Sequence, residues 1–189
     1  AAHLYDAARN AWAAGQTTTA RTLSAAAREL ADDRLLRADI DRLRGRIEVN
    51  VGSATDAHHI FATAVRAVAA DDPGRGLELA VAAALMSTYG ADSGTPVDTT
   101  SLAADAIGGD TPRTRCLGHL LIALNRASTN DWAPALASLR TALDTGADVA
   151  DLDLLSHLGN AALHIGDEEA HHRCFTRMAT GARNAGAGM

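Results

Sequence analysis

A glycine, or a residue that tolerates a glycine's backbone, recurs along this chain at nearly constant distance. Gly15, Gly52, Gly90, Asn130 and Gly166 stand 37, 38, 40 and 36 residues apart. Turns that end helices use positive φ, which glycine adopts freely and asparagine more readily than most other residues. A lone helical hairpin cannot bury its apolar face, so hairpins stack, and a period of roughly 20–50 residues is their signature. The unit is clearest between Leu43 and Pro73, LRGRIEVNVGSATDAHHIFATAVRAVAADDP, which reads as a helix ending at Gly52, a tight turn, and a second helix ending near Asp71.

Three further registers follow the same period. Seven residues before each turn stand Ala8, Gly45, Ala83, Ala123 and Gly159, all small, as a close crossing of two helices requires. Five residues after it stand Ala20, Ala57, Thr95, Ala135 and His171, the last with Ala170 beside it. Nine after it stand Ser24, Phe61, Thr99, Leu139 and Phe175. The third unit departs in its second half, where DSGTPVD predicts a longer loop over 90–95 and a helix starting near Pro96. The expected fold is all-α, with ten helices in five hairpins, at about residues 1–32, 33–71, 72–110, 111–148 and 149–185, forming one repeat domain.

Composition agrees with closely packed helices. Hydrophobic residues make up 47% of the 189 positions but aromatic residues only 3%, so the core is built from Ala, Leu and Val. The net charge of −6 opposes phosphate binding, so direct nucleic-acid contact by this segment is not expected. All 17 basic residues are arginine, a usage that looks like a high-GC bacterial genome. No apolar run reaches the roughly 18–20 residues of a membrane span, and no charged-then-apolar leader with a cleavage site is present. Cys116 and Cys174 form no CxxC pair and read as reduced thiols of a cytoplasmic protein. The opening AAHLYDAA lacks an initiating Met, which predicts a piece of a longer chain.

In chain order, helices are expected over about 2–14 and 19–31, the second capped by Thr17 or Thr18. The third is capped by Asp32–Asp33 and runs to Val51, and the fourth covers about 54–70. Asp72–Pro73 opens the fifth, which runs to Tyr89. The sixth ends at Gly108–Gly109, Thr111–Pro112 opens the seventh, and Asp131 caps the eighth. The last two cover about 149–165 and 167–183, and the tail NAGAGM reads as frayed or as a linker.

Chemistry-bearing motifs are sparse. There is no phosphate-binding glycine loop, no Gly-x-Ser-x-Gly elbow and no HExxH run. His58–His59 and His171–His172 are adjacent pairs, and adjacent helical side chains diverge by about 100°, so neither pair is a chelate and no metal or cofactor is expected. His157 and His164, seven apart, could point into a groove. Asp32–Asp33, Asp71–Asp72 and Glu168–Glu169 sit at helix starts, where acids satisfy free N–H groups. Trp12 and Trp132 read as core or hairpin-packing residues, and an enzyme is not expected.

With these registers in place, the units resemble tetratricopeptide-like repeats. The second matches through Gly45, Gly52, Ala57 and Phe61, and the fifth through Leu158, Gly159, Gly166 and Phe175. The run ARELADDRLLRADIDRLRGRIEVNVGSATDAHHIFATAVRAVAADDP resembles the helical-repeat region of large ATP-binding LuxR-type transcriptional regulators of actinobacteria. That resemblance implies a right-handed superhelical solenoid and a non-catalytic sensor segment. It would bind an effector or a protein or peptide partner, and relay this to ATPase and DNA-binding modules outside these residues. Self-association is a further expectation, and a stand-alone repeat scaffold is the alternative.

The same geometry implies a concave groove lined by first helices. Its candidates are Tyr5, Arg9 and Trp12, then Asp39, Arg42, Arg46 and Asn50. The third unit adds Ala80, Ala84, Ser87 and Thr88, the fourth Leu120, Leu124 and Ser128, and the fifth Ser156, Asn160 and His164. The expected centre is apolar and receives a partner's apolar side chain, while Arg42 and Arg46 hold an acid group.

Overall fold

The computed structural model describes residues 1–91 and 99–184. Among the described residues it is all-helical, with ten helices and no strand. The chain divides into two compact units, Ala1–Asp98 and Thr99–Met189. The first holds α1 (Ala2–Ala13), α2 (Thr17–Leu30), α3 (Arg34–Val51), α4 (Ala54–Val68) and α5 (Pro73–Thr88). The second holds α6 (Thr100–Ile107), α7 (Pro112–Ser128), α8 (Trp132–Thr145), α9 (Leu152–His164) and α10 (Glu168–Asn184). The loop expected over 90–95, the helix start near Pro96 and the end of the tail fall largely or wholly outside the described residues.

Neighbours in sequence are neighbours in space within each unit. Helix α1 packs on α2, α2 on α3, α3 on α4 and α4 on α5; α6 packs on α7, α7 on α8 and α9 on α10. First helices also meet one hairpin apart, α1 against α3 and α7 against α9. Ion pairs recur at the same interval. Arg34 reaches Asp71 (3.0 Å), Arg75 reaches Asp39 (3.0 Å), Arg42 reaches Glu78 (2.7 Å) and Arg113 reaches Asp151 (2.6 Å), at separations of 37, 36, 36 and 38 residues. The sequence period is therefore a contact period within each unit.

The starts of helices follow side-chain chemistry at most boundaries. The Asp33 carboxylate accepts from the Leu35 and Leu36 N–H groups, Asp72 from Arg75, Thr111 from Thr114 and Asp151 from Asp153 and Leu154. Two expected caps differ. Helix α2 starts at Thr17 with Gln16 before it and no side-chain cap, and Asp131 stands ahead of α8 without accepting a helix N–H. Helix α10 is opened by Asp167, which accepts from Ala170 N–H at 2.9 Å, one residue before the Glu168–Glu169 pair. Helix α9 begins at Leu152, later than expected, because Asp151 is its cap.

The turn landmarks have two different physical causes. Gly15, Gly90, Asn130 and Gly166 take φ of 72°, 79°, 60° and 77°, the left-handed region their residue types favour. Gly52 does not: its φ is −125°. A Cβ on Gly52 would lie 2.0 Å from Glu48 Oε2, the end of a side chain that pairs with Arg21 and would have to shift.

Small residues before the turn serve close crossing. A Cβ on Gly45 would meet the Phe61 ring at 2.2 Å, and one on Gly159 would meet the Phe175 ring at 2.5 Å. The aromatic sixteen residues on thus lies over the missing side chain in both units. After the turn, Ala20, Ala57 and Ala135 are buried, but the fifth unit buries Ala170 and Cys174 while His171 and Phe175 are half-buried. The buried positions of its second helix are thus displaced by one residue from those of α4, while Phe175 keeps its place against Gly159.

Candidate functional site

The expected groove residues fall into three physical situations. On α1, Tyr5 packs against two alanine-rich clusters, Trp12 covers the cluster of Ala8, Ala11, Ala20, Leu43 and Ile47, and the Arg9 guanidinium lies 5.7 Å from the Tyr5 ring centroid. These three therefore share one side of α1, with an apolar base and a cationic edge.

On α3 the polar residues are already engaged with α5. Arg75 spans Asp39 and Asp72, while Arg42 donates to Glu78 at 2.7 Å. Hydrogen bonds to Asp39 and then Asp72 raise the Arg75 pKa, and the Arg75 N–H holds the Asp72 carboxyl below its usual range. Between these side chains and Ala38 and Leu79 about 10 Å³ of space is left, room for about one water. Arg42 is thus paired with an acid group of this chain, Glu78. Arg46 and Asn50 are exposed, and the Asn50 amide donates to the Arg46 carbonyl at 2.8 Å.

The third situation corrects the expected apolar centre. Leu120 and Leu124 are 0% and 4% exposed, so they offer no surface to a partner side chain. Their spacing belongs to the buried stripe of α7. Ala80 is buried and Ala84 half-buried, and the Ser87, Thr88 and Ser128 hydroxyls donate to carbonyls of their own helices. Ser156, Asn160 and His164 are half-buried on α9, where burial lowers the His164 pKa.

The other titratable side chains read as structure. His58 is buried and its pKa is lowered, by burial first and then by His59 and Arg66. His171 sets Nδ1 3.0 Å from the Gly159 carbonyl oxygen, its ring 4.7 Å from that of Phe175. Burial pushes the Cys116 thiol up to about 12, and it donates to the Ala142 carbonyl at 3.1 Å. No group of three His, Cys, Asp or Glu residues among the described residues could hold a metal. No described helix is long and apolar enough to cross a membrane. No family model matches the chain, and neither curated proteins nor solved structures yield a match. Function has to be argued from the residues themselves.

One concavity was not foreseen. Helix α8 and the α9–α10 turn enclose a cleft of about 390 Å³. Its floor includes Leu136, Leu143 and Ile165; Arg140 stands on one lip and Asp167, Glu168 and Glu169 on the other. Trp132, read from sequence as a packing residue, is 47% exposed one turn before Leu136. The sequence signal was present as Trp132, Leu136 and Leu143, which share a helix face. It lay on a second helix, outside the first-helix positions on which the groove was drawn.

Proposed function

We propose that this chain is a non-catalytic interaction segment, a right-handed superhelical solenoid of five tetratricopeptide-like hairpins in a cytoplasmic bacterial protein. The observation that carries the reading is the contact period. Arg75–Asp39, Arg42–Glu78 and Arg113–Asp151 tie together helices 36 to 38 residues apart, as stacking of equivalent hairpins requires. The resemblance of the α2–α4 region to LuxR-type regulators supports a more specific role. In that role the segment binds an effector or partner and couples it to separate ATPase and DNA-binding modules.

Small-angle scattering tests the shape. A solenoid has a radius of gyration clearly above the roughly 16 Å of a compact domain of 189 residues, and a value near 16 Å would sink it. The regulator role is tested by reading the gene on both sides. A phosphate-binding loop upstream and a helix-turn-helix downstream support it. A start codon directly before Ala1 and a stop directly after Met189 would leave a stand-alone scaffold.

A further inference from the structure

We infer that the cleft between α8 and the α9–α10 turn docks a basic amphipathic helix of a partner protein. The inference rests on reading the chain as an interaction segment, but places the contact away from the first-helix groove. The cleft has a volume of about 390 Å³ and opens to solvent.

Within the cleft, Leu136 and Leu143 lie on one face of α8 two turns apart, about 10 Å, and Trp132 continues that face beyond it. A single small molecule does not cover such a stripe, whereas a partner helix with anchors at i, i+4 and i+7 does. Trp132 extends the stripe beyond the cleft and is half in solvent, as an interface anchor is before its partner arrives.

The lips set the partner's charge. Three carboxylates, Asp167, Glu168 and Glu169, stand against the single guanidinium of Arg140. Asp167 accepts the Ala170 N–H and Glu169 pairs with Arg173 at 2.6 Å, yet a carboxylate has about four acceptor sites and can take a further donor. Glu168 is exposed at the head of α10. An apolar anchor flanked by arginine or lysine therefore complements the cleft, and one flanked by acids is repelled.

The probe is a fluorescein-labelled synthetic helix with leucine at i, i+4 and i+7 and flanking arginines, titrated against the whole chain. Its counterpart carries glutamate in place of arginine. The arginine peptide should bind roughly tenfold tighter or better, and added salt should weaken it. Glu168→Gln and Trp132→Ala should each weaken it several-fold. Glu168→Gln should unfold at the parent's Tm and Trp132→Ala, which loses a half-packed ring, cooperatively but somewhat below it. Equal binding of the two peptides, no binding of either, or an arginine-peptide affinity unchanged by both substitutions would overturn the inference. The two readings fail separately. Flanking modules with an inert cleft remove only the docking site, whereas a stand-alone reading frame with charge-selective binding removes only the regulator role.

Discussion

The two compact units use the same helix-on-helix geometry around apolar cores, but the first adds buried carboxylates to its core. In the first, buried carboxylates on α3 fasten α2. Asp41, 5% exposed, accepts from Arg28 at 2.8 and 3.0 Å and from Arg44 at 2.9 Å, and Glu48, 8% exposed, takes a two-pronged contact from Arg21 at 2.9 Å. Both units bury large apolar side chains, Ile40, Ile47, Phe61 and Leu77 among them in the first and Leu117, Leu120, Leu121, Leu154 and Leu158 in the second, which also holds two buried thiols. Charge pairs are directional and fix register, because a displaced partner leaves an unpaired charge. Leucine packing is less directional and tolerates adjustment. In the first unit the side chains of Asp39, Arg42, Arg75 and Glu78 fill the space between α3 and α5, while the second holds a cleft lined by apolar and charged residues.

The glycine crossings should break this comparison most visibly. Gly45→Ala drives a Cβ to 2.2 Å from the ring of Phe61, which is 2% exposed and has nowhere to go. We expect a loss of about 3 kcal/mol from overpacking, seen as a lower midpoint in chemical denaturation. Gly159→Ala meets Phe175 at 2.5 Å, but that ring is half-buried and can swing outward. Alanine's helix preference offsets part of the strain, so the net loss should be about 1 kcal/mol or less. Equal losses at the two sites would mean that the crossings are equivalent and that the units do not differ in rigidity.

These crossings were legible in the sequence because they are local and periodic: a small residue, a turn and an aromatic at fixed offsets. Helix starts were legible where Asp33, Asp72 and Thr111 carry their own acceptor. What was not legible depends on direction in space. Gly52 looked like the other turn glycines, but its φ of −125° lies outside the left-handed region they adopt. Leu120 and Leu124 have spacings that fit a groove and a core equally, and burial decides for the core. Arg42 reads as a binding arginine until Glu78, 36 residues on, is seen to occupy it. The α8 cleft was missed because its two walls come from different hairpins, which no single period connects.

A smaller effect separates buried from exposed charge. Asp41→Ala removes the shared acceptor of Arg28 and Arg44, whose side chains are 32% and 33% exposed and can turn partly to water. A loss of about 2 kcal/mol is expected, less than for a fully buried pair. Glu169→Ala breaks an ion pair whose carboxylate is 85% exposed, and should change stability by less than about 0.5 kcal/mol. Denaturation curves of the two variants check this directly. If Glu169→Ala proved as costly as Asp41→Ala, ion pairing would matter as much in the second unit as in the first.

Mild acid should give the smallest effect and reverse the ranking of the units. Burial lowers the pKa of His58 in the first unit and of His119 and His164 in the second. Above the ordinary value of 6.5 all three are neutral in both folded and unfolded chains, and stability does not depend on them. As pH falls below 6.5 the unfolded chain takes up protons first, so stability drops until the depressed folded pKa values are reached, and then levels off. Thermal unfolding at about pH 7.5 and about pH 5.5 should therefore show a modest fall in Tm, with carboxylates still ionised at both values. Replacing His119 and His164 together by glutamine should remove more of that fall than His58→Gln alone. A fall left intact by both sets of substitutions would show that these three buried histidines do not carry the acid sensitivity, and the ranking of the units would stand.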